Sequence, residues 1–364
     1  MRLTMAFITV KSDHLGAKKM SYLFPIQTGR SSFGYINVHG QVVIESKFKN
    51  AREFSEGLAY VESNFRGEKG FIGLDGKLKF TIENISICQI DADPFRDGLA
   101  MITETDDFYH QSYFVDTMGK KPFEVDFNSV EPFSEGLARI THRDYSSLQS
   151  TIRSGYIDTR GKVIIQPKFD DARDFSRGMA GAMVDGKWGL INKSGDWVEK
   201  PTFDDVRSHC EGLAAVKSKG KWGYYRKADG SLAINPQFDF AGDFSDGLAY
   251  VVHDDKPAYI DKSGQIAFTT PHNDFMVKNH SDYYTRFSEG AAGVRVEGMW
   301  GFIDKRGSFI TRPQFTSISP FKNGLASVYY DENDWTRIYS YIDLTGKVVW
   351  SSTVDFTPSE YSYY

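Results

Sequence analysis

The chain has 364 residues, a formal net charge of −5, 40% hydrophobic residues and 25% charged residues, which describes an ordinary folded protein rather than a disordered or fibrous one. This weak negative charge gives no electrostatic reason to bind nucleic-acid phosphates or anionic lipids. No stretch approaches the roughly 18 apolar residues that a membrane-spanning helix needs. Two cysteines, Cys88 and Cys210, cannot form a disulfide framework, so we expect a reducing compartment, the cytoplasm.

Residues 1–20 precede the repeated pattern described below. Their apolar run, Leu3–Val10, is short for an export signal and has no obvious small-residue cleavage site after it. We therefore expect residues 1–20 to be a leader outside the fold. Translation from Met20 instead of Met1 is an open alternative.

A six-residue phrase recurs along the chain. Phe-Ser-Glu-Gly-Leu-Ala occurs at Phe54–Ala59 and again at Phe133–Ala138. Its glycine returns at intervals that run from 34 positions, Gly178 to Gly212, up to 43 positions, Gly247 to Gly290. Such self-similarity is the mark of a repeat protein with loop insertions. Related phrases start at Phe95, Phe175, His209, Phe244, Phe287 and Phe321.

A second phrase keeps step with the first and completes a strand pattern. Leu-Ala-x-Val after the first glycine predicts a strand, A, and segments such as Trp188–Ile191 predict the next strand, B. The Asp-x-x-Gly that follows, as in Asp158–Gly161, predicts a turn in which Asp caps and Gly takes a left-handed conformation. A β-branched run then predicts strand C, and we expect the proline of a Pro-x-Phe segment to stop that strand.

The expected architecture is all-β, with about nine tandem three-stranded meanders over residues 21–350 and a tail at 351–364. A three-stranded unit cannot bury its apolar face alone, so neighbouring units must stack. An open β-solenoid or superhelix is favoured over a β-propeller, because propeller blades usually have four strands. A short fourth strand hidden in the link between units would favour the propeller.

These phrases resemble the bacterial WG-repeat (KWG) family over residues 21–350. The tryptophan itself is present in only three of the nine units, at Trp188, Trp222 and Trp300. The resemblance implies a bacterial or phage-borne repeat scaffold that mediates binding. It implies no catalytic residues and no cofactor.

Catalytic and metal sites have little support in the sequence. The recurrent turn acids supply one carboxylate each, whereas calcium needs several converging oxygens, so we expect no metal. His209 and Cys210 could form a nucleophilic pair, but adjacent residues in a turn rarely face one another. The recurrent Trp and Tyr residues could stack on carbohydrate, although their regular recurrence favours a role in the core. We expect the protein not to be an enzyme.

The hairpins between strands A and B differ most among the units. Four are longer than the common length, and equivalent loops of a repeat array lie on the same edge. Aromatic and arginine residues are frequent anchors of protein interfaces. A further insertion, at 272–286, lies between strand C and the next strand A and carries Tyr283 and Tyr284. The candidate binding residues in the long hairpins are Asp106, Phe108, Tyr109, His110, Arg143, Tyr145, Trp335 and Arg337.

The function favoured by the sequence is a non-enzymatic scaffold that binds a partner protein through these long A–B hairpins. The alternative is a secreted or cell-surface module that binds a ligand such as a glycan. A clear export signal would favour the alternative, and the weak apolar run before Met20 is the feature that decides between them.

Overall fold

The fold is described from a computed structural model of the chain, over residues 22–64, 67–82, 89–106, 110–144, 151–226, 230–270 and 283–356. These residues form strands, turns and links, and they contain no helix. The all-β prediction is therefore confirmed. Their strands form eight antiparallel sheets.

The first four sheets follow one another along the chain. The first has six strands, β1 (Phe24–Gly29), β2 (Ser32–Ile36), β3 (Val42–Ala51), β4 (Leu58–Ser63), β5 (Lys69–Gly73) and β6 (Leu78–Thr81). The second has β7 (Gln89–Ala92), β8 (Leu99–Thr105) and β9 (His110–Asp116). The third has β10 (Ser129–Val130), β11 (Leu137–Asp144), β12 (Thr151–Asp158) and β13 (Val163–Phe169). The fourth has β14 (Asp171–Ala172), β15 (Ala180–Val184), β16 (Lys187–Ile191) and β17 (Trp197–Phe203).

The remaining sheets repeat the same order of strands. The fifth has β18 (Asp205–Cys210), β19 (Leu213–Ser218), β20 (Lys221–Arg226) and β21 (Ser231–Phe238). The sixth has β22 (Phe240–Ala241), β23 (Leu248–His253), β24 (Lys256–Asp261) and β25 (Ile266–Thr269). The seventh has β26 (Ala291–Val296), β27 (Met299–Asp304) and β28 (Phe309–Phe315), and the eighth has β29 (Ser317–Ile318), β30 (Leu325–Asp331), β31 (Thr336–Asp343) and β32 (Val348–Asp355).

The first sheet contains two of the repeats, because β3 pairs with β2 and also with β4. Nine repeats, numbered 1 to 9 below, therefore make eight sheets in the described residues. The last strand, β32, continues to Asp355.

The turns between strands B and C form as the sequence predicts. In repeat 4, Asp158 Oδ1 accepts hydrogen bonds from the backbone N–H groups of Arg160 and Lys162, at 2.9 and 3.0 Å. Gly161 closes the turn with a φ of 76°, a left-handed conformation that glycine adopts without steric cost.

The glycine of the Trp-Gly phrase lies under the backbone of strand C. A Cβ atom at Gly189 would lie 2.5 Å from the carbonyl oxygen of Glu199 and 2.8 Å from the nitrogen of Pro201, so no larger residue fits. The proline marks a β-bulge, where the register between β16 and β17 shifts, and β17 continues through it to Phe203. Our expectation that the proline stops strand C is therefore wrong, because a bulge accommodates the missing N–H donor.

The link between repeats contains a short fourth strand, which we call strand D. In repeat 5 it consists of Asp171 and Ala172, which pair with Met183 and Ala182 of strand A. Two residues carry too little alternation to predict a strand. Most blades of the described chain thus have four strands, D-A-B-C.

The hydrophobic core lies between neighbouring blades rather than within one. One cluster contains Trp222 and Tyr224 of repeat 6 together with Phe244 and Val251 of repeat 7, all at most 5% exposed. The three tryptophans of the Trp-Gly phrase are buried, as the core interpretation predicted. Each blade therefore needs a neighbour on each side.

The array closes on itself, and the predicted open solenoid is wrong. Along the array, the B–C turn of most repeats packs on strand C of the repeat before it, as Gly195 packs on Ile165. The turn of repeat 1 makes the same contact with repeat 9, since a methyl group at Gly40 would collide with the carbonyl of Val349. This contact closes the eight sheets into a ring, the arrangement of a β-propeller.

The closing interface has its own core and hydrogen bonds. Arg30 Nε donates to the carbonyl oxygen of Asp355 at 2.9 Å, and Lys322 Nζ lies 2.7 Å from Glu53 Oε2. The open solenoid was predicted from three-stranded units, which lacked strand D. Strand D gives most blades the four strands typical of propellers. The buried residues of the closing interface are Phe24, Ile26, Ile36, Leu325 and Tyr341.

Candidate binding surface

The turns of the blades lie on two opposite faces of the ring. The A–B hairpins and the links from strand C to strand D form one face, where Lys187 Nζ of a hairpin lies 2.7 Å from Asp204 Oδ1 of a link. We call this the loop face. The B–C turns and the D–A turns form the other, where Lys193 Nζ donates to the carbonyl oxygen of Glu135 at 2.7 Å. We call this the turn face.

An aspartate after the Pro-x-Phe segment joins neighbouring hairpins on the loop face. Asp204 pairs with Lys187 of repeat 5 and accepts the backbone N–H of Gly220 of repeat 6 at 3.3 Å. Asp239 likewise lies 2.5 Å from Lys221 Nζ of repeat 6 and accepts the N–H of Asp254 of repeat 7 at 2.9 Å. Each acceptor thus fixes two hairpins relative to each other.

The charge of these aspartates is stabilised by their partners. Hydrogen bonds from the Lys187 ammonium and the Gly220 amide hold the pKa of Asp204 below its usual range. A hydrogen bond from Lys221 does the same for the pKa of Asp239. Both carboxylates are therefore ionised at neutral pH, and hydrogen bonds to ionised groups are the stronger kind.

Of the four hairpins predicted to be long, three carry strand pairs beyond the common length in the described residues. The fourth, in repeat 2, pairs as far as Glu62 with Lys69, and residues 65–66 at its tip lie outside the described residues. In repeat 5 the last strand pair is Val184 with Lys187. The equivalent pair in the hairpin β8–β9 is Glu104 with Gln111, and this hairpin has one further pair, Thr105 with His110. The hairpins β11–β12 and β30–β31 are also longer, ending at the pairs Asp144 with Thr151 and Asp331 with Arg337. The predicted extensions of the A–B hairpins in repeats 3, 4 and 9 are thus present as paired strands.

The candidate residues of repeats 3 and 4 lie only partly within the described chain. Asp106 and His110 are exposed, and His110 Nδ1 lies 3.2 Å from Thr105 Oγ1. Arg143 is half-buried, and its backbone N–H donates to Asn128 Oδ1 of the preceding link. The other candidates of these two hairpins, Phe108, Tyr109 and Tyr145, lie outside the described residues.

The candidate residues of repeat 9 lie together at one hairpin. Trp335 is 49% exposed at the tip, and its carbonyl oxygen accepts a hydrogen bond from the N–H of Phe356. Arg337 forms an ion pair of 2.7 Å with Asp331 and stacks over Tyr329, with 4.2 Å from its guanidinium carbon to the ring centroid. Arg337 thus supports the hairpin, whereas Trp335 presents its ring to solvent. Within the described residues no contact joins these side chains to His110 or Arg143; what they share is the loop face.

Sequence reasoning missed two exposed apolar residues of the long hairpins. Tyr330 is 38% exposed and Ile152 is 45% exposed. Tyr330 lies on strand A beyond the Leu-Ala-x-Val phrase, and Ile152 lies on strand B before the Ser-Gly-Tyr-Ile segment. The inward and outward alternation continues at both places. If the alternation of inward and outward positions is continued from the strands into the insertions, Tyr330 and Ile152 fall on outward positions.

The insertion at 272–286 is described only at its end. Tyr283 is 58% exposed, whereas Tyr284 packs on Trp300 with ring centroids 5.0 Å apart. Residues 271–282 lie outside the described chain.

The environment of Cys210 does not favour a thiolate. Burial raises the pKa of the Cys210 thiol to about 11, so it is protonated at neutral pH. His209 is 5% exposed and fills the place that phenylalanine has in other repeats. In the described part of the chain, no group of three or more His, Cys, Asp or Glu side chains is placed to hold a metal ion. That part also contains no helix long and apolar enough to cross a membrane.

The repeat pattern and the ring of blades define a β-propeller built from tandem repeats. The family described as "WG containing repeat" matches residues 33–64, 114–145, 155–188, 188–222, 222–256 and 300–333, which is more than half of the chain. The chain therefore belongs to the WG-repeat family. No curated protein matches its sequence.

Solved structures share the fold at low identity. A crystal structure of the eukaryotic initiation factor is 12% identical, covers 92% of this chain and 96% of that chain, and has a TM-score of 0.61. Hsv2 of Kluyveromyces lactis is 12% identical over 86% of this chain and 92% of its own, with a TM-score of 0.31. A structure from a study of two prolyl endopeptidases is 10% identical over 93% of this chain and 50% of that chain, with a TM-score of 0.44. At these identities the first likeness shows the fold alone, and the other two are too weak to support an argument.

Proposed function

We propose that the protein is a non-enzymatic scaffold that binds a partner protein through its loop face. One observation carries the proposal: three A–B hairpins extend beyond the common length on the same face of the ring. In repeat 4, Asp170 of the link pairs with Arg153 of the long hairpin and accepts the N–H of Asp185 of the next hairpin. A surface that is ordered before binding loses less entropy when a partner docks.

The chemistry of the long hairpins supports a protein partner. Trp335, Tyr330 and Ile152 offer exposed apolar area, and aromatic residues often supply most of the binding energy of an interface. The net charge of −5 gives no support for a nucleic-acid partner.

We also propose that the protein acts in the cytoplasm. The support is its low cysteine content and the free thiol of Cys210, which fit a reducing compartment. Fractionation of the native host tests this, and recovery of the protein outside the cytoplasm would contradict it.

The binding proposal is tested by affinity capture from the native host with three baits. The first is the intact protein, and the second has residues 143–152 replaced by Asp-Gly, the turn that joins Val184 to Lys187 in repeat 5. The third carries Arg306→Ala in a B–C turn, on the turn face. We expect the first and third baits to retain the same protein and the second to lose it.

The captured protein is then purified and its affinity is measured by calorimetry. Removal of the hairpin should weaken binding roughly tenfold or more if it carries an interface anchor. Equal affinity for the shortened variant, with loss of binding in the turn-face variant, would reject the loop face as the binding surface.

A further inference from the structure

The D–A turns on the turn face are linked by a chain of carboxylates. In most of these turns an acidic residue precedes the glycine, the exceptions being Arg177 and Asn323, and both residues have positive φ, as in Glu56 (50°) and Gly57 (83°). The acidic side chain accepts a hydrogen bond from the N–H of the next turn's glycine. Six such bonds of 2.7 to 3.1 Å link the described turns, Glu56 to Gly98, Asp97 to Gly136, Glu135 to Gly178, Glu211 to Gly247, Asp246 to Gly290 and Glu289 to Gly324.

Lysine completes two of these carboxylate sites. Lys262 Nζ lies 2.9 Å from Glu211 Oε2, and Lys193 Nζ lies 3.4 Å from Glu135 Oε2. Partial burial acts to raise the pKa of Glu211, but hydrogen bonds from Lys262 and the turn amides outweigh it, and the pKa lies below its usual range. A turn amide and one ammonium therefore form a donor set that binds an ionised carboxylate.

The chain of carboxylates is broken where the ring closes. The pairing of β1 with β2 places Tyr22 at the position of the turn glycine, and the residue before it in the sequence is Ser21, which has no carboxylate. Among the described residues, the N–H of Gly57 has no hydrogen-bond acceptor, in contrast to the six glycines above. The chain is broken again at Gly212, where Arg177 holds the acidic position.

A pocket lies beside the open turn at the ring closure. Its volume is about 220 Å³, and it is lined by Glu56, Gly57, Tyr22 and Lys322, with Phe54, Ser55 and Leu74 completing the wall. Lys322 and Tyr22 also line an adjoining pocket of about 380 Å³. The open turn amide and a lysine thus line one cavity. They are the kinds of donor found at Glu211 and Glu135, but here the lysine belongs to a D–A turn rather than to a B–C turn.

We propose that this pocket binds an exogenous carboxylate, which occupies the place that a glutamate of the preceding repeat has at the other turns. The carboxylate accepts from the Gly57 N–H and pairs with Lys322, and the adjoining pocket receives the rest of the molecule. The source is an acidic side chain of a protein or a small organic acid. This site lies on the turn face and is independent of the proposed partner surface on the loop face.

The charges around the pocket set the strength of this site. Lys322 already pairs with Glu53 at 2.7 Å, and the Tyr22 hydroxyl donates to Glu53 at 3.1 Å. The Glu56 carboxylate is engaged with Gly98. The bound carboxylate therefore shares the Lys322 ammonium with Glu53, and removal of the ammonium leaves two acids facing each other.

The test is an amide NMR titration of the full chain with sodium acetate, at constant ionic strength against sodium chloride. We expect the Gly57 amide signal to shift to saturation and the Gly98 amide, already bonded to Glu56, to stay in place. Lys322→Met should weaken acetate binding about tenfold, the loss typical of a charge-assisted hydrogen bond. Lys322→Arg should retain binding, and Lys262→Met serves as the matched control at an occupied turn.

Blocked glutamate and blocked glutamine separate the two sources. Tighter binding of blocked glutamate than of acetate, with none of glutamine, identifies a protein side chain, whereas equal affinity for acetate identifies a small acid. The proposal is overturned if the Gly57 amide responds no more than that of Gly98. It is also overturned if the folded Lys322→Met and Lys322→Arg variants both bind acetate like the intact protein.

Discussion

The hydroxyl of Tyr341 donates a hydrogen bond of 2.8 Å to the carbonyl oxygen of Pro25. Equivalent tyrosines make the same kind of bond to the following repeat, as Tyr224 does to the carbonyl of Gly242 at 2.8 Å. A strand B tyrosine thus bonds a backbone carbonyl of the next repeat at the ring closure as well, with the acceptor in strand A there and just after strand D at Tyr224.

The first prediction concerns this bond. Tyr341→Phe leaves the carbonyl of Pro25 without its buried donor and should lower the free energy of unfolding by about 1 kcal/mol. Tyr224→Phe is the matched control at an internal contact and should cost a similar amount. Urea denaturation measures both, and a neutral Tyr341→Phe beside a destabilising Tyr224→Phe would speak for an open array.

A second prediction concerns the D–A turns. Gly178 and Gly247 have φ angles of 76° and 85°, and a Cβ at either would meet nothing within 4 Å. Valine there should therefore destabilise the fold by roughly 1–3 kcal/mol through backbone strain alone. Asparagine tolerates positive φ better and should cost less. Melting temperatures measure the difference, and equal values for the two substitutions would refute the strain argument.

A third prediction separates folding from binding in the long hairpin of repeat 4. Replacing residues 143–152 with Asp-Gly removes the strand pairs beyond His142 and Arg153. It retains Arg153, which forms an ion pair with Asp170. The melting temperature should change little, because the removed pairs lie outside the core between blades. A misfolded product, seen as loss of the cooperative unfolding transition, would show the hairpin to be structural.

A fourth prediction concerns acid stability. The pKa of Asp239 is lowered in the folded protein by the hydrogen bond from Lys221, so the unfolded chain takes up a proton at higher pH than the folded one does. Asp239 therefore contributes stability above its unfolded pKa of about 4, and this contribution is lost as the pH falls through the lower folded pKa. Melting temperatures from pH 6 to 3 should fall less steeply for Asp239→Asn than for the intact protein. Parallel curves for the two proteins would contradict this.

Local features of the fold could be predicted from the sequence. Strands A, B and C and the Asp-x-x-Gly turns depend on residues a few positions apart, as Asp158 and Gly161 are. The ring could not be predicted, because Tyr341 and Pro25 are 316 positions apart and no local pattern reports their contact. Strand D escaped prediction because a pair such as Asp171 and Ala172 is too short to alternate.

The candidate site was predictable in part. The lengths of the hairpins indicated the extensions of repeats 3, 4 and 9 from the loop face, and Trp335 is exposed there. The sequence did not reveal that Arg337 packs within its own hairpin, because its partner Tyr329 lies on the opposing strand. It also gave no sign that Asp204 and Asp239 join neighbouring hairpins, since each bridges repeats that meet only in the folded ring.

Site-specific photocrosslinking in the native host shows whether a partner protein docks on the loop face. A photoreactive residue is placed at Trp335 on the loop face and, in a second protein, at Arg306 on the turn face. We expect a defined protein adduct from position 335 and none from position 306. An adduct from position 306 alone would contradict it.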